Sequence, residues 1–338
     1  MNRLTYDKFF RKATGPDHSP YGYQCRLACG SQAKLDRPDT LQAGTACQSQ
    51  LINIPTGLGK TAAVVLAWLW NRIHLQSETW PRRLVYCLPM RTLVEQTEEE
   101  VRKWLGAHDL LWDEKPETRT GKVGVHILMG GEEAGEWDIY PEENAILIGT
   151  QDMLLSRALN RGYGMSRYRW PMHFGLLNND CLWVMDETQL MGVAVETSAQ
   201  LDGFRHNEKM PTFGMCPTWW MSATLEENRL ETVDHQKPAA GCWPTEKLSD
   251  AEQTSGRPHE LITAPKKLSP APLTLNGTVK GDYAKQFAEF IKKHHQHDTL
   301  TLVIVNRVKR AREIYEALTT AKKKSEQPLY DPTKIALI

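Results

Sequence analysis

The sequence predicts an α/β fold in which a parallel sheet is flanked by helices. Short apolar runs of strand length alternate with helical runs between about residues 50 and 230, a pattern typical of a parallel sheet covered on both faces. Three polar motifs, at residues 55–61, 186–189 and 222–224, each directly follow an apolar run. Because ligands bind beyond the carboxyl ends of parallel strands, these motifs are predicted to share one edge of the sheet.

The predicted strands are apolar runs with a length typical of strands, at residues 50–54, 84–88, 123–128, 145–148, 181–185 and 218–221. The predicted helices between them lie at residues 61–70, 91–105, 151–159 and 196–204. Together these elements predict one lobe over residues 50–234, preceded by an N-terminal segment at 1–49.

Residues 235–272 are polar and rich in Pro, Gly, Lys and Glu, which predicts a linker or a disordered loop. Helices are predicted at 283–295 and 307–321, with an apolar strand at 299–305 between them and a further strand at 335–338. Residues 273–338 are therefore expected to begin a second α/β lobe that is incomplete.

The run Pro-Thr-Gly-Leu-Gly-Lys-Thr at residues 55–61 separates a predicted strand from a predicted helix. Gly57 and Gly59 let the backbone bend around an anion, and the helix N-terminus adds partial positive charge. Lys60 is predicted to reach the β- and γ-phosphates of ATP, and the Thr61 hydroxyl to coordinate Mg²⁺. Ile54 stands where the common pattern has its first glycine. The predicted phosphate-binding residues are Thr56, Gly57, Leu58, Gly59, Lys60 and Thr61.

Two further motifs supply the expected chemistry of this edge. Asp186 and Glu187 follow a buried strand, where adjacent carboxylates are costly without a cation. Asp186 is predicted to hold Mg²⁺, and Glu187 to orient or deprotonate the attacking water. Ser222 and Thr224 carry short hydroxyls at another strand end, and they are predicted to couple the ATP site to a nucleic-acid path.

In this order the three motifs resemble those of superfamily 2 helicases, which implies RecA-like lobes. Residues 86–96, 128–131, 148–154 and 303–307 are similar to further motifs of that superfamily. The residues that this resemblance implies for nucleic-acid contact are Arg91, Gly130, Gly131, Thr150, Gln151, Asn306 and Arg307. Residues 20–24 resemble an adenine-reading motif, which implies that Gln24 reads the base edge.

Residues 157–177 and 186–192 are similar to the CRISPR-associated helicase-nuclease of type I interference systems, in the branch whose helicase comes first. This resemblance covers roughly residues 20–338. It implies loading onto the strand displaced by a guide-RNA surveillance complex and 3′ to 5′ translocation on single-stranded DNA. Gln189 stands where many members carry His. It can hydrogen-bond a phosphate oxygen or the motif at residues 222–224, but it cannot titrate. We include it among the predicted catalytic residues with Lys60 and Glu187.

The family's metal-dependent His-Asp nuclease domain and the arginine finger of the second lobe are not found in this sequence. Because such a finger contributes orders of magnitude in rate, the chain alone is expected to bind ATP and hydrolyse it poorly. Two alternatives stay open: an RNA helicase of the same superfamily, and a non-catalytic ATP-gated nucleic-acid clamp.

The composition restricts the partners. The 41 basic and 41 acidic side chains balance, so nucleic acid is expected in a local groove rather than over the whole surface. Seven cysteines without paired spacing fit a reducing compartment. No signal peptide is evident, and the longest apolar run, residues 62–70, is too short for a membrane span. A soluble, cytoplasmic monomer without a membrane partner is expected.

Two clusters have competing interpretations. Residues 161–170 interleave arginines with aromatic residues, which indicates either a single-strand contact or a structural loop. The histidines at 294, 295 and 297, next to Asp298, resemble a metal site, but their place at a helix end favours an interaction with the helix dipole.

Overall fold

The computed structural model describes residues 4–112, 119–130, 137–224, 226–238, 241–271, 273, 282–320 and 332–337. The chain divides into two compact units, Met1–Ala264 and Pro265–Ile338. Among the described residues, no helix is long and apolar enough to cross a membrane.

The first unit contains a seven-stranded sheet in the order β3-β4-β2-β5-β6-β1-β7. Every pair of neighbouring strands is parallel. The strands are β1 (Gln50–Asn53), β2 (Arg83–Leu88), β3 (Val123–Leu128), β4 (Asn144–Thr150), β5 (Cys181–Met185), β6 (Thr218–Ser222) and β7 (Thr245–Lys247). The predicted fold class is confirmed, because each of the six runs predicted to be strands lies in this sheet.

Helices pack on both faces of the sheet. They are α1 (Tyr6–Thr14), α2 (Gly22–Cys29), α3 (Lys60–Trp68), α4 (Arg91–Ala107), α5 (Gln151–Ala158), α6 (Trp170–Leu177), α7 (Ala194–Arg205), α8 (Asp250–Thr254) and α9 (Gly256–Thr263). A π-helical turn, Leu69–His74, continues α3.

Strand β2 shows why the apolar runs are nearly continuous. Its side chains at 84, 86 and 88 join a core cluster with residues of α1 to α4, whereas those at 85 and 87 join a second cluster with residues of α5 and α7. A parallel strand covered on both faces has no solvent side, so its sequence does not alternate between apolar and polar residues.

The range 235–272 differs from the predicted linker. Residues 245–247 form β7, which pairs with β1, and α8 and α9 follow it within the first unit. This strand has the polar sequence Thr-Glu-Lys, so periodicity does not reveal it. Backbone pairing holds it, together with Arg26, which forms ion pairs with Glu246 at 2.7 Å and Glu252 at 2.9 Å.

In the second unit, helices α10 (Asp282–His294) and α11 (Val308–Thr319) form as predicted. The predicted strand at 299–305 is irregular, and Leu300, Leu302 and Ile304 are 93, 73 and 83% exposed. Residues 335–337 are also irregular, and Ile338 lies outside the described residues. An apolar run becomes a strand only beside a pairing strand, and the described part of this unit contains no such pair.

Candidate functional site

The turn between β1 and α3 has the backbone shape that its glycines predict. Gly57 and Gly59 adopt φ values of 82° and 70°, a region that side chains with a Cβ rarely occupy. Leu58 between them is fully buried and anchors the turn to the core. Thr56, like both glycines, is exposed, so the loop presents backbone to solvent at the N-terminus of α3.

Lys60 is the first residue of α3 and is 7% exposed. Its Nζ donates a hydrogen bond to the Ile54 carbonyl oxygen across the loop at 3.3 Å. Thr61 follows at the second helical position and is half-buried. A cation held inside a glycine loop at a helix N-terminus is an arrangement that attracts phosphate.

Helix α2 supports this loop from behind. The Tyr23 hydroxyl donates to the Leu58 carbonyl oxygen, and Gln24 Nε2 donates to the Gly59 carbonyl oxygen at 2.9 Å. Gln24 Oε1 accepts from the Tyr21 backbone N–H at 2.8 Å. The structure therefore places Gln24, which is 2% exposed, directly against the predicted phosphate loop.

Asp186 follows β5 and is 5% exposed. Its Oδ2 accepts a hydrogen bond from the hydroxyl of Tyr86 on the neighbouring strand β2 at 2.7 Å, and its Oδ1 accepts from the Glu187 backbone N–H at 2.8 Å. Burial raises the pKa of the Asp186 carboxyl to about 6, and Glu187 adds to the rise, while Tyr86 and Lys60 oppose it. The carboxylate is fixed in position but poorly solvated, as a cation ligand is before its cation binds.

Glu187, Gln189 and Ser222 form a continuous chain of hydrogen bonds. Gln189 Nε2 donates to the Glu187 carboxylate, and Gln189 Oε1 accepts from Ser222 Oγ at 2.8 Å. Ser222 Oγ in turn accepts from the Thr224 backbone N–H at 3.0 Å. This hydrogen-bonded network joins the ends of β5 and β6. It connects four residues that were predicted from two separate motifs, Glu187 and Gln189 in one and Ser222 and Thr224 in the other.

A cavity of about 280 Å³ opens beside these groups and is lined by Gly59, Thr61, Asp186 and Glu187, with α4 on its other side. In phosphate sites Mg²⁺ binds through one or two protein oxygens together with substrate phosphates and water. Thr61 offers a hydroxyl and Asp186 a carboxylate to the same cavity. The donor set therefore fits Mg²⁺ with a bound nucleotide.

The other half of the sheet edge carries four of the residues predicted to contact nucleic acid. Arg91 begins α4 after β2, Gly130 follows β3, and Thr150 and Gln151 join β4 to α5. Since β3, β4 and β2 are adjacent, these residues line neighbouring strand ends, with Arg91 and Gly130 exposed.

Three further predicted contacts do not belong to the described part of the first unit. Gly131 lies outside the described residues. Asn306 and Arg307 belong to the second unit, where both are exposed and Asn306 Oδ1 accepts from Arg310 at 3.0 Å.

The histidine cluster has no metal-site geometry. His294 Nδ1 lies 2.8 Å from the Phe290 carbonyl oxygen, and His297 pairs with Asp298 at the surface, where both side chains are exposed. Over the described ranges, no group of three or more His, Cys, Asp or Glu side chains is suited to hold a metal.

Two parts of the site were not predicted from the sequence. The first is the Tyr86 hydroxyl. A tyrosine inside an apolar strand does indicate a buried hydroxyl that needs a hydrogen-bond partner. The other is helix α9, because a Cβ placed on Gly57 would lie 3.8 Å from Leu261 Cδ1. No signal in the polar range 235–272 pointed to this contact.

The family model described as DEAD/DEAH box helicase matches residues 38–233. No curated protein matches the chain.

Among solved structures, the DUF1998 helicase MrfA bound to DNA and AMPPNP has 16% identity and a TM-score of 0.51, covering 93% of this chain and 38% of that one. The yeast DEAD-box splicing factor Prp28 has 18% identity and a TM-score of 0.41, with 71% and 49% covered. The DEAD-box helicase Mss116 bound to ssRNA and UDP-BeF has 16% identity and a TM-score of 0.44, with 74% and 47% covered.

The chain thus spans half or less of the length of these structures. The likeness to MrfA shows a RecA-like fold, and the family model covers more than half of the chain. With a glycine loop before α3, an Asp-Glu pair and a Ser-Ala-Thr motif at one sheet edge, the chain belongs to the DEAD/DEAH box helicase family of superfamily 2.

Proposed function

We propose that this chain is an ATP-dependent translocase and helicase on single-stranded DNA. Lys60 and the backbone N–H groups of residues 56–61 bind the phosphates, and Thr61 and Asp186 hold Mg²⁺. When bound, Mg²⁺ neutralises charge on the phosphate oxygens. Gln24 recognises the adenine from the end of α2.

Glu187 is the group that orients and deprotonates the attacking water. It lines the same cavity as Gly59 and Thr61, and Gln189 donates a hydrogen bond to its carboxylate. That bond fixes the carboxylate on the cavity side and leaves its second oxygen to accept from water.

The observation that carries the proposal is the hydrogen-bond chain from Glu187 through Gln189 to Ser222 and Thr224. A change at the phosphates that moves Glu187 has a direct path through Gln189 to the end of β6. On the other side of β5, the ends of β2, β4 and β3 carry Arg91, Gly130, Thr150 and Gln151, which supply the proposed strand contacts. Gly131, Asn306 and Arg307 are further proposed contacts, on the ground of the motif resemblance alone.

DNA is proposed as the substrate from the similarity of residues 157–177 and 186–192 to the CRISPR-associated type I helicases. MrfA is bound to DNA, whereas Mss116 is bound to ssRNA, so the family's members use both polymers. The partner proposed on the same ground is a guide-RNA surveillance complex, whose displaced strand the chain would enter as a cytoplasmic monomer.

The test is ATP hydrolysis by the chain under single-turnover conditions, with single-stranded DNA, RNA of the same sequence, or neither. Stronger stimulation by DNA is expected. Stimulation by RNA that is lost on 2′-deoxy substitution contradicts the DNA assignment and favours an RNA helicase.

Tight ATP binding without any turnover in either polymer, even when a second RecA-like lobe with an arginine finger is supplied, contradicts an enzymatic role and favours an ATP-gated clamp. To test the CRISPR assignment, the chain is added to a type I guide-RNA complex bound to duplex target. Retention on this complex, but not on the complex without target, is the expected result.

A further inference from the structure

We propose that the basic-aromatic loop, residues 161–168, is a docking surface for single-stranded nucleic acid. Tyr163 and Tyr168 stack on bases there, and Arg161 and Arg167 pair with backbone phosphates. The inference rests on the proposed function and adds to it a contact outside the sheet-edge motifs.

The aromatic side chains of this loop do not pack beneath the sheet. Tyr168 is 96% exposed and Tyr163 is 71% exposed. Arg161 and Arg167 are exposed as well. Exposed rings alternating with cations match the needs of a single strand, because every base has a face to stack on and every nucleotide carries a phosphate.

The end of the loop at α6 is anchored. Arg169 pairs with the Asp138 carboxylate, whose side chain is 1% exposed, and His173 Nε2 lies 2.7 Å from the same carboxylate. Arg169, one of the arginines that alternate with aromatic residues in this sequence, therefore anchors the loop. The other charged and aromatic side chains of the loop face solvent, namely those of Arg161, Tyr163, Arg167 and Tyr168.

The end at α5 is anchored by Ser156. The Ser156 carbonyl oxygen accepts from the backbone N–H groups of Arg161 at 2.8 Å and Gly162 at 3.2 Å, and Ser156 Oγ accepts from the Tyr163 N–H at 3.3 Å. Gly162 has a φ of 48°, and a Cβ there would meet Met165 and Trp170 side chains at 2.4 and 2.6 Å. A loop tethered at both ends presents its rings with less ordering cost on binding.

The charge of the segment selects an anionic partner. Residues 157–177 contain no Asp or Glu, and the whole chain is neutral with 41 basic and 41 acidic side chains. Positive charge is therefore concentrated locally at the loop. The two tyrosines favour a single strand, whose unstacked bases are accessible, over a duplex, whose base faces are hidden.

The experiment measures the affinity of the chain for a fluorescent oligo-dT strand over a range of salt concentrations. The paired change Tyr163→Ala with Tyr168→Ala is expected to weaken binding about tenfold or more, with little change in salt dependence. The pair Arg161→Ala with Arg167→Ala is expected to weaken binding and to lower the slope of log affinity against log salt by about 1.4.

Matched controls are Phe213→Ala, which removes a side chain that is 98% exposed, and Arg37→Ala, which removes an exposed arginine elsewhere. Both controls are expected to bind as the unchanged chain does, and all variants are expected to bind ATP equally. If the unchanged chain binds no single strand in any nucleotide state, the proposed function fails. If the unchanged chain binds the strand but either paired substitution in the loop leaves its affinity unchanged, the proposed docking surface is contradicted.

Discussion

Ser222 Oγ donates a hydrogen bond to Gln189 Oε1 at 2.8 Å, although the two residues are 33 positions apart in the sequence. Gln189 Nε2 donates at the same time to Glu187. The Gln189 carboxamide therefore hydrogen-bonds both the Glu187 carboxylate, which lines the cavity, and the Ser222 hydroxyl at the end of β6. A histidine at position 189 would change its hydrogen bonding with pH, whereas a carboxamide keeps both bonds at every pH in the physiological range.

Replacing Ser222 with Ala is expected to separate ATP binding from nucleic-acid stimulation. The change removes two neutral hydrogen bonds, one to Gln189 and one from the Thr224 N–H. Each is worth about 1 kcal/mol, which corresponds to about fivefold. ATP affinity should stay unchanged, while single-strand stimulation of hydrolysis should fall by about that factor or more. The control is Ser77→Ala, an exposed hydroxyl that bonds only Thr79 among the contacts described. Equal stimulation in Ser222→Ala and the unchanged chain contradicts the coupling role.

Replacing Tyr86 with Phe is expected to weaken Mg²⁺ binding. The fully buried hydroxyl donates to Asp186 at 2.7 Å, and loss of a partner that orients a metal ligand costs about tenfold in metal affinity. The measurement is binding of a fluorescent ADP analogue as MgCl₂ is titrated. The matched control is Tyr6→Phe, since Tyr6 is equally buried. An unchanged Mg²⁺ midpoint would show that Tyr86 only fills space.

Replacing Gln24 with Ala is expected to reduce discrimination between ATP and GTP. Its carboxamide uses one donor on Gly59 and one acceptor position on Tyr21, which leaves one N–H and one lone pair for the base. A carboxamide pairs with the donor-acceptor edge of adenine. ATP affinity should fall about fivefold to tenfold while GTP affinity changes less. Gln236→Ala, at an exposed position, is the control, and an equal fall for both nucleotides contradicts base reading.

Asp202 on α7 is expected to support stability in a pH-dependent way. Its carboxylate accepts from Ser49 Oγ at 2.8 Å and lies 3.3 Å from both His206 and His235. Burial raises the pKa of this carboxyl, but the hydrogen bonds with both histidines outweigh burial and hold the pKa below its ordinary value. The folded state therefore gains stability above the unfolded-state pKa of about 3.9 and loses it as pH falls.

Asp202→Asn is accordingly expected to lower the free energy of unfolding at pH 7 by about 3 kcal/mol or more. Its stability should also fall less than that of the unchanged chain between pH 5 and pH 2. Urea unfolding at each pH measures both effects, with the exposed Asp17→Asn as control. A variant that keeps the full acid dependence would show that other carboxyl groups cause it.

The sequence predicted the sheet well where burial leaves a continuous apolar run. Strands β1 to β6 are such runs, and the motifs at their ends lie at one edge because parallel strands share their direction. β7 was not predicted, because its stability comes from pairing with β1 and from the Arg26 ion pairs rather than from apolar side chains. At residues 299–305 the pattern predicted a strand that lacks a neighbouring strand in the described structure.

At the site, the residue types were predictable but their mutual contacts were not. The bond between Tyr86 and Asp186 joins positions 100 residues apart, and only the strand order brings β2 beside β5. Likewise, the sequence left residues 161–170 between two interpretations, and only the contacts distinguish individual residues: Tyr168 is 96% exposed, whereas Arg169 pairs with the buried Asp138 carboxylate.

The most direct test of the account is single-turnover ATP hydrolysis with and without single-stranded DNA, in the unchanged chain and in Glu187→Gln. The amide keeps the size of the side chain but cannot deprotonate water, and general-base catalysis contributes about 10² to 10⁴ in rate. We expect ATP binding to be equal in both, with slow hydrolysis that DNA accelerates in the unchanged chain and almost none in the variant. Equal hydrolysis in the two proteins would contradict the assignment of Glu187 and of this sheet edge as an ATP-driven motor site.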